Sequence, residues 1–121
     1  MVPEAILVEL KGYSRSQVAT LLQAVDAFLM TSFTEGSPQV IKESLACGCP
    51  IVSVDVGDVA ERISGITGCF VVVSEAGPIA DAIKKALAFP ERTDGRNVIL
   101  RNGLTNDQIA HRIVDVYKSI C

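Results

Sequence analysis

The chain has 121 residues, 49% of them apolar and 21% charged, and eleven Lys and Arg against fourteen Asp and Glu give a net charge of −3. That length and mix fit one domain, residues 1–121, around a single core, and exclude collagen-like, disordered and disulfide-framework classes. No apolar run approaches the roughly 18 to 20 residues needed to cross a bilayer, and no charged leader precedes a long apolar stretch, so a soluble protein without a transmembrane segment is expected.

Short β-rich runs alternate with longer amphipathic stretches. Residues 5–9 (AILVE) read as a first strand. Residues 14–25 begin with Ser14 and place Val18, Leu21, Leu22 and Val25 at helical spacing, which predicts a helix with those four side chains inward. Residues 27–31 (AFLMT) show no polar alternation and read as a strand covered on both faces. A polar loop over 32–39 leads into a helix. Ser37 suits its N-cap, Pro38 its first position and Gly48 its stop. Residues 50–55 (PIVSVD) read as the third strand, 57–63 as a short helical segment and 69–74 (CFVVVS) as the fourth strand. Helices follow over 76–89 and 106–120, with a polar helical segment between them. The pattern implies a three-layer α/β/α domain with a mainly parallel sheet of about four strands.

Affinity for nucleic acid calls for clustered cations, whereas Arg15, Arg62, Arg92, Arg96, Arg101 and Arg112 are scattered and read as solvated surface. Four Phe, two Tyr and no Trp leave few stacking platforms, so nucleic acid is not an expected partner. Cys47 and Cys49 flank Gly48, while Cys69 and Cys121 stand alone and the sole histidine, His111, is far along the chain. That spacing lacks the paired ligands of a zinc site, so the cysteines are expected to be small buried thiols in a reducing cytoplasm. His111 is expected at the surface.

In open α/β sheets, ligands bind where strands end and loops enter the next helix. The loop of that kind with most chemistry is 32–39. The backbone N–H groups of Gln39, Val40 and Ile41 and the positive end of the helix dipole would make an anion site, and Gly36 would let the chain turn close to a bound group. Glu35 precedes this helix and Glu43 follows eight residues later. A carboxylate only accepts hydrogen bonds, so it suits paired hydroxyls of a sugar or ribose. Equally, a glutamate ahead of a helix can serve the dipole alone, and Glu43 can face water beside Lys42. Spacing alone leaves both readings open.

The run Ser32-x-x-Glu35-Gly36-Ser37-Pro38-Gln39-Val40-Ile41-Lys42-Glu43-Ser44-Leu45-Ala46-Cys47-Gly48-Cys49-Pro50-Ile51-Val52, followed by Asp55, Gly57 and Glu61, closely resembles the donor-binding segment of group 1 glycosyltransferases of the GT-B fold. Their signature is a Glu-x7-Glu motif within a longer Ser-x-x-Glu-Gly to Cys-Gly-x-Pro pattern. Lys11-Gly12-Tyr13, Ala24 to Phe28, Ile109-Ala110 and Val116-Tyr117 extend the likeness over nearly the whole chain. The resemblance implies a partial Rossmann-like domain, the later half of the second domain of such an enzyme. It implies that Glu35 meets the donor sugar as the catalytic residue and that Glu43 holds the ribose hydroxyls. Gly36, Ser37, Pro38, Gln39 and Val40 would line the sugar and diphosphate. Retention of anomeric configuration, a nucleotide-diphosphate sugar donor, no metal and no cofactor follow from the same likeness. Ser44, where the family often has Ala, and Ser37, where many have Phe, depart from its pattern without altering that chemistry.

The family's acceptor domain and its basic residues on the donor diphosphate have no counterpart here, so the fragment is expected not to transfer sugar alone. In the usual strand order 3-2-1-4-5-6, the four strands read here would be numbers 3, 4, 5 and 6, with a two-strand gap beside residues 27–31. Such an edge predicts self-association or a repositioned first strand. The rival readings are a nucleotide-sugar epimerase fragment of the same fold and a non-catalytic α/β module that binds a partner protein.

Overall fold

The computed structural model describes residues 5–32, 36 and 38–120. Helix α1 (Arg15–Ala24) opens on a capping box, in which the Ser14 hydroxyl accepts the Gln17 N–H while the Gln17 side chain accepts the Ser14 N–H at 2.8 Å. Leu22 is buried and Val18, Leu21 and Val25 are half-buried, the inward face that the spacing predicts. Strand β1 (Phe28–Met30), helix α2 (Gln39–Ala46), strand β2 (Ile51–Val54), helix α3 (Val59–Ile63), strand β3 (Cys69–Val72), and helices α4 (Ala76–Leu87), α5 (Gly95–Arg101) and α6 (Asn106–Ile120) follow in that order.

The strands form a parallel sheet in the order β1-β2-β3, with Phe28 opposite Ile51 and Ile51 opposite Cys69. All four residues of the central β2 are buried, including Ser53, whose hydroxyl donates to the Val54 carbonyl at 2.8 Å. Val52 packs against Ala82 and Ala86 of α4 on one face. On the other, Met30 and Ile51 meet Ile41 and Leu45 of α2, Val59 and Ile63 of α3, and Ile99 of α5. These two cores on one sheet make the three-layer α/β/α arrangement. Leu22, Ile41, Leu45, Ile51 and Ile63 are each fully buried, and each such side chain contributes about 1.5–3 kcal/mol.

Three sequence expectations are corrected. The sheet has three strands among the described residues rather than about four, because residues 5–9 make no ladder. The segment ends in a tight local turn closed by a bond from the Lys11 N–H to the Glu9 carbonyl. It lines a groove of about 1030 Å³ with Leu21, Val25, Phe28 and Leu29, so it lies beside the β1 edge without pairing to it, and Ile6 and Leu7 stay 91% and 84% exposed. Second, α2 starts at Gln39 with Pro38 as its N-cap at ψ 121°, one position later than expected. The ring fixes φ, and the extended ψ keeps Pro38 outside the helical turn. Ser37, the expected cap, lies outside the described residues.

Third, Arg92 is not merely solvated. Its guanidinium donates to the Leu22 and Val25 carbonyls at the end of α1 and to the Cys47 carbonyl at the end of α2. Helix C-termini leave carbonyls without partners and carry the negative end of the dipole, so a forked cation suits both ends at once. The same end of α2 closes in a Schellman motif. The Cys49 N–H bonds the Ser44 carbonyl at 2.9 Å and the Gly48 N–H the Leu45 carbonyl at 3.0 Å, with Gly48 at φ 67°.

Helix α6 buries none of its residues and exposes Ile113, Val116, Tyr117 and Ile120. His111 is exposed, as expected, with its ring Nδ1 2.7 Å from the Asp107 carbonyl oxygen. No helix among the described residues is long and apolar enough to cross a membrane.

Candidate functional site

The parallel sheet points its three carboxyl ends the same way, towards the loops that enter α2, α3 and α4. Between those ends lies a cleft of about 470 Å³ lined by Ser32, Val54, Asp55, Val71, Val73 and Ser74. Asp55 is exposed there at the end of β2, and Ser32 is half-buried beyond β1. The chain leaves the same edge of the sheet after β1 and enters α2 at Gln39.

Of the predicted site residues, Gly36 is exposed, Pro38 buried, Gln39 exposed, and Val40 and Glu43 half-buried. Glu35 and Ser37 lie outside the described residues. A Cβ built at Gly36 would meet nothing within 4 Å among the described residues, so open space borders the backbone at this point. Of the three amides expected to hold an anion, the Ile41 N–H is taken by the Pro38 carbonyl at 3.2 Å. Gln39 and Val40 open the helix, where no carbonyl one turn back within the helix can accept their N–H groups. Glu43 sits four residues beyond Gln39, about 6 Å along the axis at 1.5 Å per residue. Ser44 is fully buried on the same helix, and its hydroxyl donates to the Val40 carbonyl at 2.8 Å.

The sequence reading missed a backbone tie between two loops. The Asp58 N–H donates to the Gly36 carbonyl at 2.9 Å, joining the loop after β2 to the loop after β1. Gly57, immediately before, has φ 55°, a left-handed conformation that glycine adopts without penalty. The Asp58 carboxylate accepts from Arg62 Nε at 3.0 Å, and Val56 and Val59 on either side are buried. A main-chain bond leaves no side-chain signature; the left-handed glycine was the one available signal.

The three described thiols, Cys47, Cys49 and Cys69, are free and stand apart from this edge of the sheet. Burial pushes the Cys49 thiol up to about 11 despite the opposing charge of Arg92. Burial likewise raises Cys69 to about 11. Neither is a nucleophile at neutral pH. Cys121 lies outside the described residues, and no group of three His, Cys, Asp or Glu among the described residues is placed to hold a metal.

Residues 3–88 match the family model for glycosyl transferases, group 1. The D-inositol 3-phosphate glycosyltransferase of Mycobacterium tuberculosis (strain F11) is 37% identical over 84 residues, which cover 69% of this chain and 18% of the relative. The protein of that name from Mycobacterium leprae (strain TN) is 36% identical over 75 residues, 61% of this chain and 18% of its own. The chain thus spans under a fifth of the length of the curated relatives it matches. No solved structure matches it.

Proposed function

Because the chain belongs to the group 1 glycosyl transferases, we propose that it is the partial donor-binding domain, residues 1–121, of a retaining glycosyltransferase that takes a sugar from a nucleotide-diphosphate sugar. The observation that carries this reading is the family match over residues 3–88, which encloses the whole Glu35 to Glu43 segment. The parallel sheet supports it by bringing the start of α2 to the edge where ligands of such folds bind.

In this reading Glu43 accepts hydrogen bonds from the ribose hydroxyls, and being half-buried it offers them a carboxylate that is not fully hydrated. The Gln39 and Val40 amides donate to the diphosphate and the α2 dipole favours its charge. Gly36, Ser37 and Pro38 line the sugar, and Glu35 sets the reacting centre as positive charge develops there. The rest of the enzyme supplies the acceptor site and the cations that steady the leaving diphosphate, so this chain alone does not transfer sugar. The same reading has the β1 edge pair with a second copy, visible as a dimer mass in sedimentation. It also puts the protein in the cytoplasm, where the three described thiols stay reduced.

The test is calorimetric titration of the chain with UDP, GDP and ADP, beside Glu43→Ala. Binding of one diphosphate, weakened about 10- to 100-fold in the variant, is expected for loss of bonds to a charged group. Binding that Glu43→Ala leaves unchanged would remove the ribose role, and no binding of any of the three would remove the donor-site reading.

A further inference from the structure

Between the proposed donor loop and the rest of the molecule, the described residues show one direct main-chain bond ahead of α2, and it comes from an element carrying none of the proposed ligand contacts. Gly36 is flanked by Glu35 and Ser37 and stands three residues before the first helical amide, that of Gln39. Its carbonyl is held by the Asp58 N–H at 2.9 Å. The donor of that bond is well anchored. Val59 and Ile63 of α3 are fully buried in the core, Val56 is buried just before, and the Val59 N–H closes on the Val56 carbonyl at 3.1 Å. The Asp58 side chain is drawn to Arg62 one turn on. What aims the Asp58 amide outward at the loop is the left-handed backbone of Gly57.

We propose that Gly57 and the Asp58 amide are positioning residues for the donor loop, fixing the Gly36 carbonyl so that the loop holds the open backbone face beside Gly36 towards the ligand. The inference rests on the donor-site reading above. By reciprocity, a ligand seated against the loop strengthens the tie and slows hydrogen exchange at the Asp58 amide, which no ligand contact touches.

Gly57→Ala disturbs the aim of that amide, while Gly65→Ala supplies a matched control. Gly65 follows α3, has φ 82° and has nothing within 4 Å of a built Cβ, so alanine there meets the same backbone penalty without touching the loop. With UDP, GDP and ADP as probes, Gly57→Ala is expected to weaken binding about three- to tenfold, the worth of one hydrogen bond, and Gly65→Ala to leave it unchanged at a similar melting temperature. In the unaltered chain the bound diphosphate should slow exchange at Asp58. Binding equally affected in both variants, or unaffected in Gly57→Ala, or an Asp58 amide blind to the diphosphate, each overturns the inference while the donor site stands. A chain that binds none of the three diphosphates overturns both.

Discussion

Gly95 marks the place where α5 crosses α2, and Gly95→Ala tests whether that crossing is as tight as its geometry requires. A Cβ there would fall 2.6 Å from the Leu45 carbonyl oxygen, 2.8 Å from Leu45 Cα and 2.9 Å from its Cδ2. Two of these atoms are backbone, so no side-chain rotation relieves the contact. Restoring ordinary separation near 3.4 Å means parting the helices by about 0.6–0.8 Å. Leu45 is fully buried, and a gap of that size forfeits about a quarter to a half of each contact it opens. Overpacking of this kind costs about 1–3 kcal/mol, against a gain of up to about 1 kcal/mol for replacing glycine in a helix. With two backbone clashes the cost falls in the upper part of that range, and the net expectation is a loss of up to about 2 kcal/mol, or a melting temperature up to about 10 °C lower. Gly77→Ala in α4 is the control, since a Cβ there meets nothing within 4 Å and the same helix gain should raise the melting temperature slightly. Calorimetric melts of both variants check this. If Gly95→Ala melts at or above the unaltered chain, the helices are not in contact at this point and the argument fails.

Arg92→Ala should lower stability by about 1–3 kcal/mol in urea unfolding, because three helix-end carbonyls lose a charged donor. Arg92→Lys should recover only part of it, since an ammonium lacks the planar fork; full recovery would show that charge alone suffices. Ser14→Ala removes the capping box and should cost about 0.5–2 kcal/mol by the same measurement. For Cys49, the folded pKa stands near 11 against an ordinary 9. As pH rises through that window the unfolded chain releases its proton and the folded chain keeps it, so the stability this thiol contributes is present below 9 and lost towards 11. The urea midpoint of the unaltered chain should therefore fall relative to Cys49→Ala between about pH 8 and about pH 10.5, and a constant difference would refute the burial account.

The elements legible from the residues were those whose signals are local. Ser14 ahead of α1, Gly48 after α2, and the β-branched residues of IVSV in β2 each mark their element within a few positions, and each element was found where those signals put it. The strand expected at residues 5–9 had the right composition, but a strand is made by a neighbour's backbone, and composition says nothing about whether one is present. Arg92 looked like its scattered fellows because its acceptors, Leu22, Val25 and Cys47, are 45 to 70 residues away in sequence. At the candidate site the helix and its Gly48 stop were readable, whereas Pro38, expected at the first helical position, is the N-cap. The tie between Asp58 and Gly36 was not readable, since both partners are main-chain atoms that every residue possesses.

Several long-range contacts bear on the site because they act on α2. Its C-terminal end is closed by Gly48 and held by Arg92, and the Thr93 N–H bonds the Gly48 carbonyl at 2.8 Å. Its flank is pressed to α5 at Gly95, and its inner face is locked by Ile41 and Leu45 in the core. A helix fixed at one end, one flank and one face has little freedom to shift as a body, so in the proposed donor site its first amides and Glu43 would be held in a set position, sparing binding the cost of ordering them. On the proposed donor-site reading, substitutions at Gly48, Arg92 or Gly95 should therefore lower stability and weaken UDP, GDP and ADP alike.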